Sequence, residues 1–127
     1  MHRRSTGIAL TMGLLLVAAL SHAQKATEQF IPVGQSPGVS GVLSYQGELR
    51  EVDRQNRTVT VGEGDEAHAT RVTDDTDIWL DRSESRKISL TGGMEDLEPG
   101  RRVEIKYVDV QTKDVAEWIK VVVPAAP

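Results

Sequence analysis

Four groups of side chains have the types and spacing that chemistry could use. Gly34-Gln35-Ser36-Pro37-Gly38 has the G-x-S-x-G spacing of a nucleophile elbow. In that motif the residue after the serine gives its backbone N–H to the oxyanion hole, and Pro37 has no N–H to give. No buried strand precedes it, and of the chain's three histidines only His68 lies beyond the first 23 residues. A nucleophile, base and orienter cannot be assembled from one histidine, so a Pro-Gly turn and a non-enzymatic protein are expected. No catalytic residue is assigned.

The acids Asp74, Asp75, Asp77 and Asp81 have some of the look of a calcium loop. Such a loop needs a glycine at its sixth position and a bidentate glutamate at its end, and no glycine follows this run. Asp74 and Asp75 then belong to a turn, and Asp77 to the solvent face of a strand. His68, Met94, Trp79 and Trp118 are the soft or aromatic residues that Cu(I) could recruit. One histidine and one methionine far apart make a thin set. His68 alternates with Ala67 and Ala69 onto the solvent face, while Met94 plugs the barrel end. No metal ligand or cofactor is assigned. Metal binding, of copper type or divalent, remains the alternative reading.

The aromatic residues give the leading one. Trp79 and Trp118, with Tyr45 and Tyr107, could form a stacking platform of the kind found on OB-fold faces. Trp118 alternates with Ala116 and Lys120, in opposite phase to Val115, Ile119 and Val121. Trp79 is likewise out of phase with Ile78 and Leu80. Both rings therefore belong outside the barrel, either as an exposed patch or beneath the segment that precedes it. An exposed pair makes a partner surface, with Trp79 and Trp118 as anchors and Asp81, Arg82 and Lys120 supplying charge. The expected partner is an unidentified envelope protein.

The elements that must position these residues are strands. Beyond residue 23 the chain has 14 Val and 5 Ile against 5 Leu, and β-branched side chains suit a pleated sheet better than a helix. Leu43, Tyr45, Gly47 and Leu49 alternate with polar residues, and Val52 breaks the phase, which predicts a bulge near Arg50–Glu51. Strands follow at 58–61, through Ala67, Ala69 and Val72, at 76–80, at 103–107 and at 115–123. The first three form a meander. Ile88 and Leu90 anchor the polar stretch 82–94, residues 94–97 form one helical turn, and Glu98-Pro99-Gly100 makes a type II turn. The expected fold is all-β, a small five- to six-stranded OB-like barrel over residues 41–123, with a two-sheet sandwich as the rival. Residues 24–40 form an extended leader whose Phe30, Ile31 and Val33 dock on the barrel exterior. Residues 124–127 form a tail.

The first 23 residues are different material. His2, Arg3 and Arg4 precede an apolar run from Ile8 to Leu20, and Ser21-His22-Ala23 offers small residues at the −3 and −1 positions. This is the pattern of a cleavable signal peptide, and its apolar run is shorter than the roughly 20 residues a membrane span needs. A signal-peptide helix, export to the periplasm and no stable membrane insertion after cleavage are expected. The 127-residue chain has a net charge of −4, and the loss of two arginines makes the exported part more acidic still. The arginines and lysines among 82, 86, 87, 101 and 102 are interspersed with acids and form no stripe. Nucleic-acid binding, which needs cations to displace counterions, is not expected. With no cysteine, disulfides, thiolate metal sites and Cys-linked lipids are excluded.

The runs Gly41-Val42, Glu51-Val52-Asp53, Thr58-Val59-Thr60-Val61, Asp75-Thr76, and Asp96-Leu97-Glu98-Pro99-Gly100 with Val103-Glu104-Ile105 resemble small exported bacterial β-barrel domains of unknown function. Those domains are distantly similar in fold to periplasmic copper-efflux chaperones, which use a His, a Trp and two Met close together. His68 and Trp79 stand at loosely similar places here, but the methionines are lacking. The resemblance thus implies the fold and not the copper role. The leader 30–38 and the run Ile78-Trp79-Leu80-Asp81-Arg82-Ser83 look like a distinct subgroup of those domains.

Overall fold

The computed structural model describes residues 27–126. The expected signal peptide, the first three residues of the leader and the last residue of the tail lie outside them. Seven strands form one sheet: β1 (Ser44–Asp53), β2 (Thr58–Val61), β3 (His68–Arg71), β4 (Asp77–Asp81), β5 (Leu90–Thr91), β6 (Arg102–Tyr107) and β7 (Ala116–Val122). Their order across the sheet is β3-β2-β1-β6-β7-β4-β5. All neighbours are antiparallel except β4 and β7, which run parallel. The all-β class and the β1–β3 meander match expectation, and the strand count exceeds it because β5 escaped notice. Two residues are too short to show an alternation.

The sheet is not closed, but it curls. At one edge Arg71 forms an isolated parallel bridge with Val115, and its N–H donates to the Asp114 carbonyl at 2.8 Å. Thr70 Oγ1 donates to the Lys113 carbonyl at 2.9 Å. The edge of β3 is thereby tied to the connection that leads into β7. The register shift in β1 between Leu49 and Glu51 is the predicted bulge, which turns the strand from its β6 partner toward β2. Bulges increase local twist.

Strand alternation sorts side chains onto two faces. Inside the curl, directly paired residues make a row across four strands: Tyr45, Ile105, Ile119 and Ile78. With Leu49, Val59, Val61, Val103, Val121 and Leu97 they build the core. Leu97 follows the 3-10 turn Met94–Asp96 and is fully buried. Met94 packs partly buried against the same core. Ile88 and Leu90 do not anchor their loop. They are 66% and 45% exposed, Leu90 in the sheet's last strand and Ile88 in the loop before it.

Ile119 is fully buried and lies between Ile105 and Ile78 in that inner row. Ile119→Ala is expected to cost about 2–5 kcal/mol through lost contacts and the cavity left behind. Urea unfolding followed by tryptophan fluorescence measures it.

Candidate functional site

On the other face of the sheet the alternation brings unusual residues to its centre. The outer row paired through Gln46, Glu104, Lys120 and Trp79 crosses β1, β6, β7 and β4. A second row places Ser44, Lys106, Trp118 and Asp77 beside it. The two indole rings stack at 5.7 Å between centroids with 34° between their planes. Lys120 Nζ lies 4.6 Å above the centre of the Trp118 ring, within cation–π range. Trp79 and Trp118 thus lie on the outer face, as their phase predicts, and the β4–β7 pairing makes them neighbours there.

They are not exposed. Trp79 retains 5% of its accessible surface, Trp118 1% and Lys120 1%. The leader lies over them. It contributes no strand to the sheet and is built from turns, closed by bonds such as Gln35 N–H to Pro32 carbonyl and Leu43 N–H to Val39 carbonyl. Its attachment runs through the charged groups beneath it. Lys120 Nζ donates to the Ile31 carbonyl at 2.8 Å, to Glu28 Oε1 at 3.2 Å and to Ser36 Oγ at 3.2 Å. The Ser36 hydroxyl donates in turn to Glu28.

Two carboxylates hold the leader further along. Glu104, wholly buried, accepts from Gly34 N–H at 2.9 Å, Ser40 Oγ at 2.7 Å and Ser44 Oγ at 2.6 Å. Asp81 accepts from Val33 N–H at 2.8 Å and from Ser83 N–H at 2.9 Å. Of the three apolar residues expected to dock, Val33 is buried beside this charge and Ile31 half-buried, whereas Phe30 is 54% exposed, and the described part of the leader is turned and not extended. Gly34 permits the close approach. Its φ is +83°, so a side chain there would meet the left-handed penalty, while the nearest group to a would-be Cβ, Gln46 Oε1 at 2.6 Å, is the movable end of a flexible side chain.

Burial pushes the Lys120 ammonium below its ordinary value, opposed by the charge and hydrogen bond of Glu28 and by the charges of Glu104 and Asp81. For Asp81, burial pushes the carboxyl up. Hydrogen bonds from Ser83 and from Val33 N–H, with the Lys120 charge, outweigh it and hold Asp81 below the ordinary carboxylate value. One cation among three carboxylates keeps every partner in use, the condition under which buried charge is tolerated. Ser36 is 3% exposed and hydrogen-bonded on both sides. Its hydroxyl has no open face toward a substrate.

A free partner surface at Trp79, Asp81, Trp118 and Lys120 is therefore corrected: in this conformation the four serve as the leader's seat. Arg82 stays half-exposed at the rim, where its Nε donates to the Ile88 carbonyl at 2.8 Å. Sequence reasoning missed Glu28, Ser36 and Glu104. Glu104 alternates with Val103 and Ile105 as an ordinary solvent-facing residue would, and only the β6–β7 register sets it opposite Lys120. For Glu28 there was no signal, because its partner is 92 residues away.

His68 is elsewhere, and it is not a bare solvent-face residue. Its Nε2 meets the Tyr107 hydroxyl, its Nδ1 lies 3.1 Å from the Glu66 carbonyl, and its ring packs edge-on to Tyr45 at 5.6 Å. The carbonyl can only accept, so Nδ1 carries the proton and Nε2 accepts from the phenol. Burial pushes the Tyr107 phenol up, which keeps it a donor. The pair ties β3 to β6 across the curl. Beside it lies an open cleft of about 320 Å³, lined by Tyr45, Glu48, Arg50, Glu63 and Glu66 among others. Among the described residues no three or more His, Cys, Asp or Glu side chains gather closely enough to hold a metal. No helix among them is long and apolar enough to cross a membrane.

Two substitutions test the seat. Lys120→Met removes the cation shared by three carboxylates and is expected to cost about 3–5 kcal/mol, read by urea unfolding. Asp81 is held below its ordinary value of 3.8. Its contribution is thus complete above that pH and is lost as pH falls through the lower folded value. Asp81→Asn should flatten that part of the acid-unfolding profile.

No protein-family model and no curated protein matches the chain. Among solved structures it is similar to the crystal structure of Ag(I)CusF, at 16% identity and a TM-score of 0.39, over 61% of this chain and 93% of that one. At this identity and score no site residue is carried across.

Proposed function

We propose that this is a non-enzymatic binding or accessory module of the bacterial periplasm, acting through protein–protein contact at the flank of β5. Export rests on the charged, apolar and small-residue pattern of the first 23 residues. The observation that carries the surface is the exposure of Leu90, 45%, on the edge strand β5, and of Ile88, 66%, in the loop just before it. The opposite edge is blunted by its bridge to Val115. Arg82 braces the β5 flank by its bond to the Ile88 carbonyl, and the 3-10 turn Ser83–Ser85 presents Arg86 and Lys87 to solvent. With Glu84 in the same turn the flank is mixed in charge, with three cations against one acid over residues 82–87.

Its complement is an extended segment with alternating apolar and acidic side chains. Such a strand adds to the β5 edge, taking affinity from backbone hydrogen bonds and specificity from side chains. Arg82 thus keeps its expected role, while the anchors become Ile88 and Leu90 in place of the tryptophans.

A synthetic peptide of alternating valine and glutamate is the probe. Titrated into the full chain, it should shift the amide resonances of Leu90 and Thr91. Ile88→Ser with Leu90→Ser should abolish the shifts and change stability by less than about 1 kcal/mol. Absence of shifts at millimolar peptide would sink the reading. A saturable tryptophan quench by Cu(I) or Ca²⁺ without peptide would favour metal binding instead.

A further inference from the structure

The leader's seat has a property that does not depend on how β5 is used. The segment from Thr27 to Ser40 is a separate piece laid on a finished sheet. The principal core includes none of it, and no strand ladder includes it. Its hold consists of polar contacts to Lys120, Glu104 and Asp81 and of Val33 against the outer face. An empty seat would expose two tryptophans and leave buried charges without partners. It therefore needs an occupant, and a second copy of this chain carries one of matching shape and charge.

The joint between leader and sheet is three residues long. Ser40 and Ser44 are both fixed on Glu104, and Gly41, Val42 and Leu43 turn between them. Gly41 sits at φ +78° with nothing within 4 Å of a would-be Cβ. The joint is one of the places where apolar surface is left uncovered: Val42 is 65% exposed, Leu43 36% and Val108 66%. Tyr107 N–H donates to the Leu43 carbonyl at 3.3 Å, which places Val108 beside the joint. When two copies exchange a terminal segment, their opened joints run side by side, and new contacts form there. This molecule has its exposed valines at that place.

We propose that the chain forms a dimer by exchanging leaders, each copy's Glu28, Val33, Gly34 and Ser36 closing the Trp79–Trp118–Lys120 face of the other. The straightened joints, with Val42, Leu43 and Val108, form the second contact. The face and its chemistry stay as they are in one chain; only the source of the leader changes.

The full-length chain is tested by sedimentation equilibrium up to about 1 mM, a range that detects weak association. A concentration-dependent dimer is expected. Gly41→Ala strains the turned joint but not a straightened one, and should tighten the dimer roughly 30-fold, since two joints are relieved. A mixture identifies the exchange. The reporter chain carries Glu28→Ala and Ser36→Ala, so its leader holds poorly and its two tryptophans emit at longer wavelength. The donor chain carries Trp79→Phe and Trp118→Phe with an intact leader. Exchange lets the donor's leader close the reporter's face, and the emission returns to shorter wavelength. Should the reporter fail to fold, Glu28→Gln alone takes its place. A chain that stays monomeric throughout, or one that dimerises without shifting the emission, overturns the proposal.

Discussion

The outer face of this sheet depends on one buried ammonium. Lys120 stands at the middle of β7 with almost none of its surface exposed, and its transfer from water is unfavourable unless its charge and its donors are met. Three acceptors from the leader meet the donors: Glu28, Ser36 and the Ile31 carbonyl. Glu104 on the neighbouring strand and Asp81 at the end of β4 contribute further negative charge. These carboxylates are themselves buried, and they too must be met. The leader supplies Gly34 and Val33 N–H groups and the Ser40 hydroxyl for that purpose. The cation and its carboxylates thus fix where a turn-rich segment without ladder bonds must lie.

That arrangement explains why a small chain without cysteine keeps polar residues at the centre of a sheet face. The inner face has the ordinary hydrophobic solution, a row of Tyr and Ile packed within the curl. An apolar outer face would have been covered by almost any greasy segment. Charged groups with directional bonds accept one register of the leader, since a one-residue slip would misplace the Val33 and Gly34 amides together. Gly34 favours the same register, because its left-handed backbone at φ +83° is one that residues with a side chain rarely adopt. Whether polar burial confers specificity varies between proteins. Here the number of bonds tied to a single register makes it the natural account.

Much of the fold was legible because alternation is a local signal. The phases of Trp118 against Ile119 and Val121, and of Trp79 against Ile78 and Leu80, put both indoles on the outer face; the parallel pairing of β4 with β7, which phase does not give, makes them neighbours. The β1 bulge followed from Val52 breaking step. What covers the indoles was not legible from phase, since alternation says which face a residue occupies and nothing about what lies on that face. Glu28 and Lys120 are far apart in the chain, and no spacing rule connects them. β5 failed for a different reason: Leu90 looks like an anchor by type, but a two-residue edge strand has only one neighbour.

A surface inferred from exposed aromatic anchors was therefore the right pair of rings in the wrong role. Aromatic side chains out of phase with a core need burial as much as those in phase. A single-sheet protein can meet that need from its own chain before any partner does. The surface left for partners is then set by what the leader and the curl do not reach. Among those places are the β5 flank, where the sheet simply ends, and the joint at Gly41–Leu43, where the leader departs, with Phe30 exposed on the leader itself. Both lie at boundaries of the covered area, and neither is predicted by the hydrophobic pattern of any strand. They follow from topology, which places β5 last in the order and brings the joint beside the end of β6.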